Sequence, residues 1–456
     1  MTADDGAPKR RTPSAGGTGP LDALPIDWLP VDVLPVVVPP VDVPPLDVLS
    51  VDVLVVGAGP GGVAAALSAH EQGLTVLVVD RAVFPRDKTC GDALTALALR
   101  LLEQLEVDVP ALPGFEPVQE AVFILPSGHE AVLPMPPTGM YSGVVPRLDL
   151  DAALVARARQ AGIDLREGTE LVGLTDTATG LRAELGDGTT VEARHVVAAD
   201  GHWSRVRRLR EPDAAADLGT WHAFRQYFRG VEERRQCILF ERDLLPGYAW
   251  VFPLPDGRAN VGFGVLRGAG VTGKKLKALW PDLLARPSMR KVLGAGAEPE
   301  DVHRAWPIPS SYDPDRLADD RILYVGDAAS LVDSLTGEGI GQALESGILA
   351  GRAIGAGGGP STISATYRRA VGKSLGRDLR LARTLRHVFS TPMGIRFAVH
   401  AAGLTPWTRR NFVRWLFEDY PRALILTPDR WHRNMFTGPG AFQPGSSPTG
   451  SRTTAS

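Results

Sequence analysis

Residues 51–80 read VDVLVVGAGPGGVAAALSAHEQGLTVLVVD, and their pattern decides the fold. Val51–Val56 is an apolar run of the kind that forms a strand buried on both faces of a parallel sheet. Gly57-Ala58-Gly59-Pro60-Gly61-Gly62 follows as a GxGxxG turn, and a small-residue helix is expected over Val63–Gln72. A second strand, Thr75–Val79, ends in Asp80. In such a unit Gly57 permits the tight turn, Gly59 lets backbone approach a pyrophosphate, and Gly62 allows close helix–strand contact. Asp80, 23 residues beyond Gly57, is placed to accept both hydroxyls of an adenosine ribose. A bare GxGxxG says little. With two strands, an Ala-rich helix and a terminal acid around it, the stretch reads as a dinucleotide site, a plain βαβ turn being the alternative.

A second stretch, RILYVGDAASLVDSLTGEGIGQALESGIL at 321–349, extends the argument. A short strand, Ile322–Val325, leads into Gly326-Asp327, and Thr336-Gly337-Glu338-Gly339-Ile340 opens an amphipathic helix. An acid between strand end and helix start can bond a ribityl hydroxyl. Free N–H groups at the helix start can face the pyrimidine end of a flavin, where the reduced ring is negative. Alone, the segment also reads as a glycine-rich turn. A third piece, Val196–Ala199, is an apolar strand ending in Asp200-Gly201, with Ser204, Arg205 and Arg207 beyond.

These three motifs, in this order, resemble the glutathione-reductase-type flavoproteins of the p-hydroxybenzoate hydroxylase branch. FAD is the cofactor that the resemblance implies. Phe84-Pro85-Arg86-Asp87-Lys88-Thr89-Cys90-Gly91-Asp92 is similar to the KxCG segment of geranylgeranyl reductases, which lies along the flavin. Pro246–Pro253, followed by Asn260-Val261-Gly262, resembles their YxWxFP…VG strand pair, and Leu335–Ile340 matches their LTGEGI. The resemblance spans roughly residues 51–350. It departs at Ala93, where the family usually has Gly, and at Ser334, where it usually has Pro; both bear on substrate identity. Ser330 stands where the aromatic hydroxylases of the branch carry His, and YxWxFP stands where halogenases show WxWxIP. Both differences favour a reductase.

The resemblance implies an FAD-dependent reductase that hydrogenates C=C bonds of an isoprenoid, polyprenyl lipid or terpenoid by hydride transfer from reduced flavin. The alternatives are an FAD-dependent monooxygenase of an apolar substrate and an idle flavin- or lipid-binding protein. The cofactor residues it implies are Gly57, Gly59, Gly62, Asp80, Arg81, Cys90, Gly91, Arg147, Asp200, Gly201, Gly326, Asp327, Gly337, Gly339 and Ile340. Tyr248, Trp250, Phe252 and Phe263 are expected to line an apolar substrate slot, or else to fill a sheet core. Cys90 is the expected proton donor, or else a packed inert thiol, with water or Tyr248 then the proton source. Only one GxGxxG is present, so an external electron donor, NADPH or ferredoxin, is expected.

Composition sets the outer bounds. The chain has 456 residues, 44% hydrophobic and 22% charged, enough for a sizeable core and two lobes. A formal net charge of −3 gives no reason to expect nucleic acid. Two cysteines, Cys90 and Cys237, form no disulfide framework and suit a reducing cytosol. No metal-ligand spacing occurs. The expected fold class is α/β: a Rossmann-type FAD-binding domain interrupted by an antiparallel-sheet substrate lobe, with a helical C-terminal region.

The FAD-binding parts are expected at 51–110, 146–212 and 316–370, and the substrate lobe at 111–145 and 213–315. From Leu24 the chain counts off pentads (LPIDW, LPVDV, LPVVV, PPVDV, PPLDV, LSVDV), so 1–49 reads as low-complexity and disordered. Proline at nearly every fifth residue forbids a continuous helix, and proline with Asp argues against a membrane span or signal. A sticky docking arm is the functional reading; a repeat expansion is the plain one. Residues 371–436 hold twelve Lys or Arg against four Asp or Glu. Leu375, Leu379, Ala382, Leu385 and Phe389 share one helical face there. That region is either a helix packed on the substrate lobe or a surface helix touching the inner face of a membrane. Residues 437–456 read as a disordered tail.

Overall fold

Two glycine-rich helix starts end up side by side, and the topology of the first sheet is what puts them there. The computed structural model describes residues 48–212, 219–268, 273–433 and 435–443. Strand β1 (Val48–Val56) begins within the fifth pentad, earlier than the apolar run suggested, and the repeats before it lie outside the described residues. Helix α1 (Pro60–His70) likewise starts three residues earlier than its expected first residue, Val63. Pro60 occupies the first helical position, where its missing N–H costs nothing. β2 (Val76–Val79) lies parallel to β1, pairing Val53 with Val76. Helix α2 (Arg147–Gln160) leads to β3 (Asp164–Arg166), parallel to β2, and β4 (Thr190–Ala198) returns beside β1.

The chain then builds a second, mostly antiparallel sheet from β5 (Trp221–Arg229), β6 (Gln236–Leu239), β7 (Tyr248–Leu254) and β8 (Arg258–Leu266). The hairpin Glu120–Ile124 and Glu130–Pro134, turned at Gly128 with φ +80, adds to its β6 edge. Alternation gives this sheet two faces. In the β7–β8 register Trp250 opposes Gly262 and Ala249 opposes Phe263. Tyr248, Trp250 and Phe252 therefore share one face with Asn260 and Gly262. Phe263 shares the other with Val261 and Val265. Helix α3 (Gly273–Ala285) covers that second face with Leu276, Trp280 and Leu283.

β9 (Ile322–Tyr324) rejoins the first sheet and completes the order β9-β4-β1-β2-β3. Helix α4 (Ile340–Gly355) packs on α1 through small residues. A Cβ at Gly347 would stand 2.2 Å from the Gly61 carbonyl oxygen, and one at Gly351 would stand 2.7 Å from that of Ala65. The two helices thus meet backbone to backbone. Beyond them, α5 (Arg377–Phe389), α6 (Pro392–Gly403) and α7 (Pro406–Leu416) form the basic region. Leu375 and Leu379 bury in the first-sheet core, whereas Ile395, Val399 and Val413 pack with Trp250 and Phe252 on the inner face of the second sheet. The expected tail is in part structured. Ala441 bridges to Met140, and a Cβ at Gly440 would lie 2.5 Å from the Met140 nitrogen, so only glycine allows the approach. Residues 444–456 lie outside the described set.

Candidate active site

Three glycines in the first turn answer to different demands. Gly57 has φ +105, and a Cβ on it would meet the Ala199 carbonyl oxygen at 2.4 Å. At Gly62 a Cβ would sit 1.8 Å from the Gly57 carbonyl oxygen, so the turn folds on its own helix. Gly59 has an ordinary φ of −75, and a Cβ there would meet only Arg86 Nη2 at 3.7 Å. The chain itself gives no reason for glycine at 59, whereas a diphosphate laid on the helix start would require it. No side chain caps α1, which leaves its first N–H groups for such a ligand.

Asp80 Oδ2 accepts from the Ala58 N–H (2.7 Å) and Oδ1 from the Ala82 N–H (2.8 Å), so the acid also fixes the loop it is expected to serve. Each oxygen keeps acceptor capacity for a ribose hydroxyl. Arg81 is exposed just beyond it. Asp200 accepts from the Arg205 and Val206 N–H groups (2.6 and 3.0 Å), which engages its carboxylate in holding its own loop; Gly201 turns that loop at φ +78. Arg147 is buried and grips Asp151 with two hydrogen bonds of 2.8 and 2.7 Å, and Arg86 pairs with the same carboxylate at 2.7 Å. Burial works to raise the pKa of Asp151, yet Arg147, then Arg86 and Lys88, hold it below the usual carboxylate range. Two guanidiniums against one carboxylate leave net positive charge beside the opening at Gly59. Arg86 was not singled out from the sequence.

At the other end of the groove, Asp327 pairs with Lys88 at 3.1 Å. Burial opposes its charge, but Lys88 and Arg147 keep it ionised. Gly337 turns at φ +73 beneath the Tyr248 hydroxyl, and Gly339 starts α4. The free amides expected here are partly occupied: Glu338 folds back so that its Oε1 accepts from the N–H groups of Ile340 (2.9 Å) and Gly341 (3.0 Å). Buried Arg422 lies behind, 2.9 Å from Asp333 Oδ2 and 3.2 Å from Glu418 Oε1. Burial, and then the neighbouring Asp333, push the carboxyls of Glu338 and Glu418 well up. None of these side chains after Gly339 was legible as a partner of the motif.

Between groove and second sheet lies a cavity of about 250 Å³. Cys90, Gly91, Arg147, Asp327, Gly337, Gly339 and Ile340 line it, as do Tyr248, Trp250 and Phe252. Ala93 and Ser334, the two departures from the family pattern, line it as well. Phe263 does not. It is 0% exposed on the opposite face, stacked between Phe224 (4.9 Å) and Trp280 (5.8 Å), because register places it one residue out of phase with the slot. Trp250 is fixed by its indole N–H to Asn260 Oδ1 (2.9 Å) and stacks on Phe252 at 6.0 Å. The Tyr248 hydroxyl donates to the Thr336 carbonyl, and burial pushes its pKa up, so it buttresses the Gly337 turn and is a poor acid. Phe389, Phe412 and Leu416 of the C-terminal helices close the far end, a contribution the motifs did not announce.

Residues 50–367 match the family model described as FAD binding domain. The chain is 33% identical over 361 residues to a menaquinone reductase of Mycolicibacterium smegmatis, covering 73% of this chain and 84% of the relative. It belongs to the geranylgeranyl reductase family of FAD-dependent oxidoreductases. A digeranylgeranylglycerophospholipid reductase of Methanothrix thermoacetophila is 31% identical, over 81% of this chain and 96% of its own length. The fold is shared with a geranylgeranyl bacteriochlorophyll reductase-like protein of Thermoplasma acidophilum, at TM-score 0.70 and 22% identity, covering 84% of this chain and all of that one. The family's cofactor is FAD, and the residues present suit it: Asp80 and the uncapped α1 start would hold the adenosine and diphosphate, and Asp327 and the α4 start the flavin side.

Proposed function

We propose that this oxidoreductase saturates carbon–carbon double bonds in the polyprenyl part of an isoprenoid lipid or isoprenoid quinone. The observation that carries the reading is the cavity, which runs from the Cys90–Gly91 edge of the flavin groove along Tyr248, Trp250 and Phe252 to Phe389, Phe412 and Leu416. A wall so rich in aromatic and aliphatic carbon suits a chain that offers only apolar surface for recognition. The names of the relatives, menaquinone reductase and digeranylgeranylglycerophospholipid reductase, support the substrate class. Bound and reduced, FAD supplies hydride, with electrons from an external donor such as NADPH or ferredoxin. The chain's part is to hold an alkene against that surface, exclude water, and provide a proton. Cys90 is in place beside the slot and protonated, since burial and then Asp92 push its pKa up. That same shift makes the thiol reluctant to release its proton.

Entry from a bilayer is part of the proposal. Met393 and Phe397 on α6, Leu404 in the turn after it and Trp407 at the start of α7 are exposed, with exposed Arg396, Arg409 and Arg410 among them. No Asp or Glu occurs from 383 to 410. Apolar side chains ringed by arginine suit an anionic lipid surface, and the neighbouring Phe389, Phe412 and Leu416 line the cavity. Among the described residues no helix is long and apolar enough to cross a membrane. The decisive experiment is anaerobic: photoreduce the holoenzyme, add a polyprenyl alkene, and follow flavin absorbance and product mass. Reoxidation with a gain of two hydrogens per bond is expected. Turnover only after oxygen is admitted, with oxygen in the product, would transfer the chain to the monooxygenases.

A further inference from the structure

Asp92 is a carboxyl that nothing in the reaction so far requires. It is 0% exposed, lines the cavity next to Cys90, and sits at φ 62. Its Oδ2 accepts from the Tyr227 hydroxyl (2.6 Å) and from Asn260 Nδ2 (2.7 Å). Those two donors are cross-strand partners on β5 and β8, so the inner face of the second sheet is built to hold this group. Its Oδ1 is buried with no partner. An acceptor left bare in this way is costly, and a proton on Oδ1 converts it into a donor beside the slot.

We propose that Asp92 is the acid that protonates the substrate alkene. The inference rests on the reductase reading above. Hydride from bound reduced flavin goes to one alkene carbon; the Asp92 O–H bond breaks as a C–H bond forms at the other carbon, so the alkene is reduced and the flavin oxidised. The resulting carboxylate keeps its bonds from Tyr227 and Asn260 until a solvent proton restores the acid. Burial, resisted by the Tyr227 bond, Arg225, the Asn260 bond and Arg147, pushes the Asp92 pKa up to about 6, nearer to neutrality than an ordinary carboxyl. The charged and titratable groups around it are Cys90, Tyr227, Arg147 and Arg225, the last stacked 4.1 Å from the Tyr227 ring and paired with Asp87.

Asp92→Asn is the test, because Asn tolerates the left-handed backbone and removes only the titrating proton. The variant should keep its FAD spectrum, while anaerobic reoxidation by a polyprenyl alkene at pH 6 slows about 10²-fold or more. In the wild type that rate should fall as pH rises through about 6, and in the variant this limb should vanish. Carbon-13 NMR of Asp-labelled, oxidised holoenzyme should show one carboxyl titrating in that range and absent from the variant. A variant with wild-type rate and wild-type profile overturns the proposal and leaves the reductase reading intact. A wild type that no polyprenyl alkene reoxidises overturns both. Should Asp92→Asn fail to bind FAD, Tyr227→Phe decides: loss of its bond raises the Asp92 pKa and moves the limb to higher pH, and an unmoved limb overturns the proposal.

Discussion

The two faces of the second sheet carry similar aromatic residues and do opposite things. On the outer face Phe224, Phe263 and Trp280 stack into a filled core. On the inner face Tyr248, Trp250 and Phe252 border a cavity. The difference lies in what stands behind the rings. Inward, each large ring faces a glycine or a polar handle: Gly262 and Asn260 at Trp250, the Thr336 carbonyl at Tyr248. Outward, α3 supplies Leu276 and Leu283 and leaves no such vacancy. Aromatic content alone therefore marks neither face as functional. Glycine behind the rings distinguishes them; a tethered polar atom does not, since Trp280 on the outer face also donates its indole N–H to Gln226 Oε1 (2.8 Å).

Substitution on either face should separate stability from turnover. Phe263→Ala should cost about 3–5 kcal/mol of stability, the usual price of an emptied aromatic core site, with the folded fraction still turning over. Chemical denaturation beside active-site titration measures both; a stable but inactive Phe263→Ala would put the ring back in the slot. Asp327→Ala, in the groove that the inner face roofs, should weaken FAD by about 1.5–3 kcal/mol through loss of a charged hydrogen-bonding group. Calorimetric titration of the flavin-free protein gives that figure, and undiminished affinity would remove Asp327 from the cofactor. Trp250→Ala should cost stability on the same scale as Phe263→Ala, about 3–5 kcal/mol, since the residue is only 6% exposed and its indole N–H is paired with Asn260. Its alkene-driven reoxidation should also fall well below wild type at full FAD occupancy. Equal losses of FAD and turnover would make Trp250 a core residue like Phe263.

The smallest effect belongs to Gly264→Ala. A Cβ there meets nothing within 4 Å, although Gly264 lines the cavity. Stability should rise by about 0.4–1 kcal/mol as the unfolded chain loses freedom, while the slot narrows by one methyl. Thermal melts and turnover with alkenes of different bulk test the pair of effects. A lower melting point would show that the open space is not as drawn.

Local signals carried most of the fold and one end of the site. Gly57, Gly62 and Asp80 are read from a stretch of thirty residues whose strand, turn, helix and second strand follow one another directly, although Gly57 also abuts Ala199 and β1 pairs with β4. Phe263 was misread because side-chain parity on β8 depends on its register with β7, which no single strand reveals. Asp92 went unassigned although it stands two residues from Cys90, since its partners Tyr227 and Asn260 lie 135 and 168 residues away. Glu338 hid inside its own motif: the glycines drew attention, and the side chain that caps α4 did not. Residues 438–441 read as tail by composition, yet Tyr141 donates to the Gly438 carbonyl and Met140 pairs with Ala441.

The contact between α1 and α4 works as a fixed ruler. The two glycine-rich helix starts are spaced by backbone touching backbone at Gly61–Gly347 and Ala65–Gly351. Only small side chains border that seam, Ala64 and Ser68, the latter donating across it to the Ile348 carbonyl (3.1 Å). An addition at Gly347 or Gly351 pushes the helices apart, so drift in sequence cannot retune the span between the two helix starts. The aromatic wall opposite has no such ruler, because Trp250, Phe412 and Leu416 can each be exchanged without moving a helix start. The spacing of the two helix starts is thereby frozen, while the shape of the cavity opposite stays open to variation.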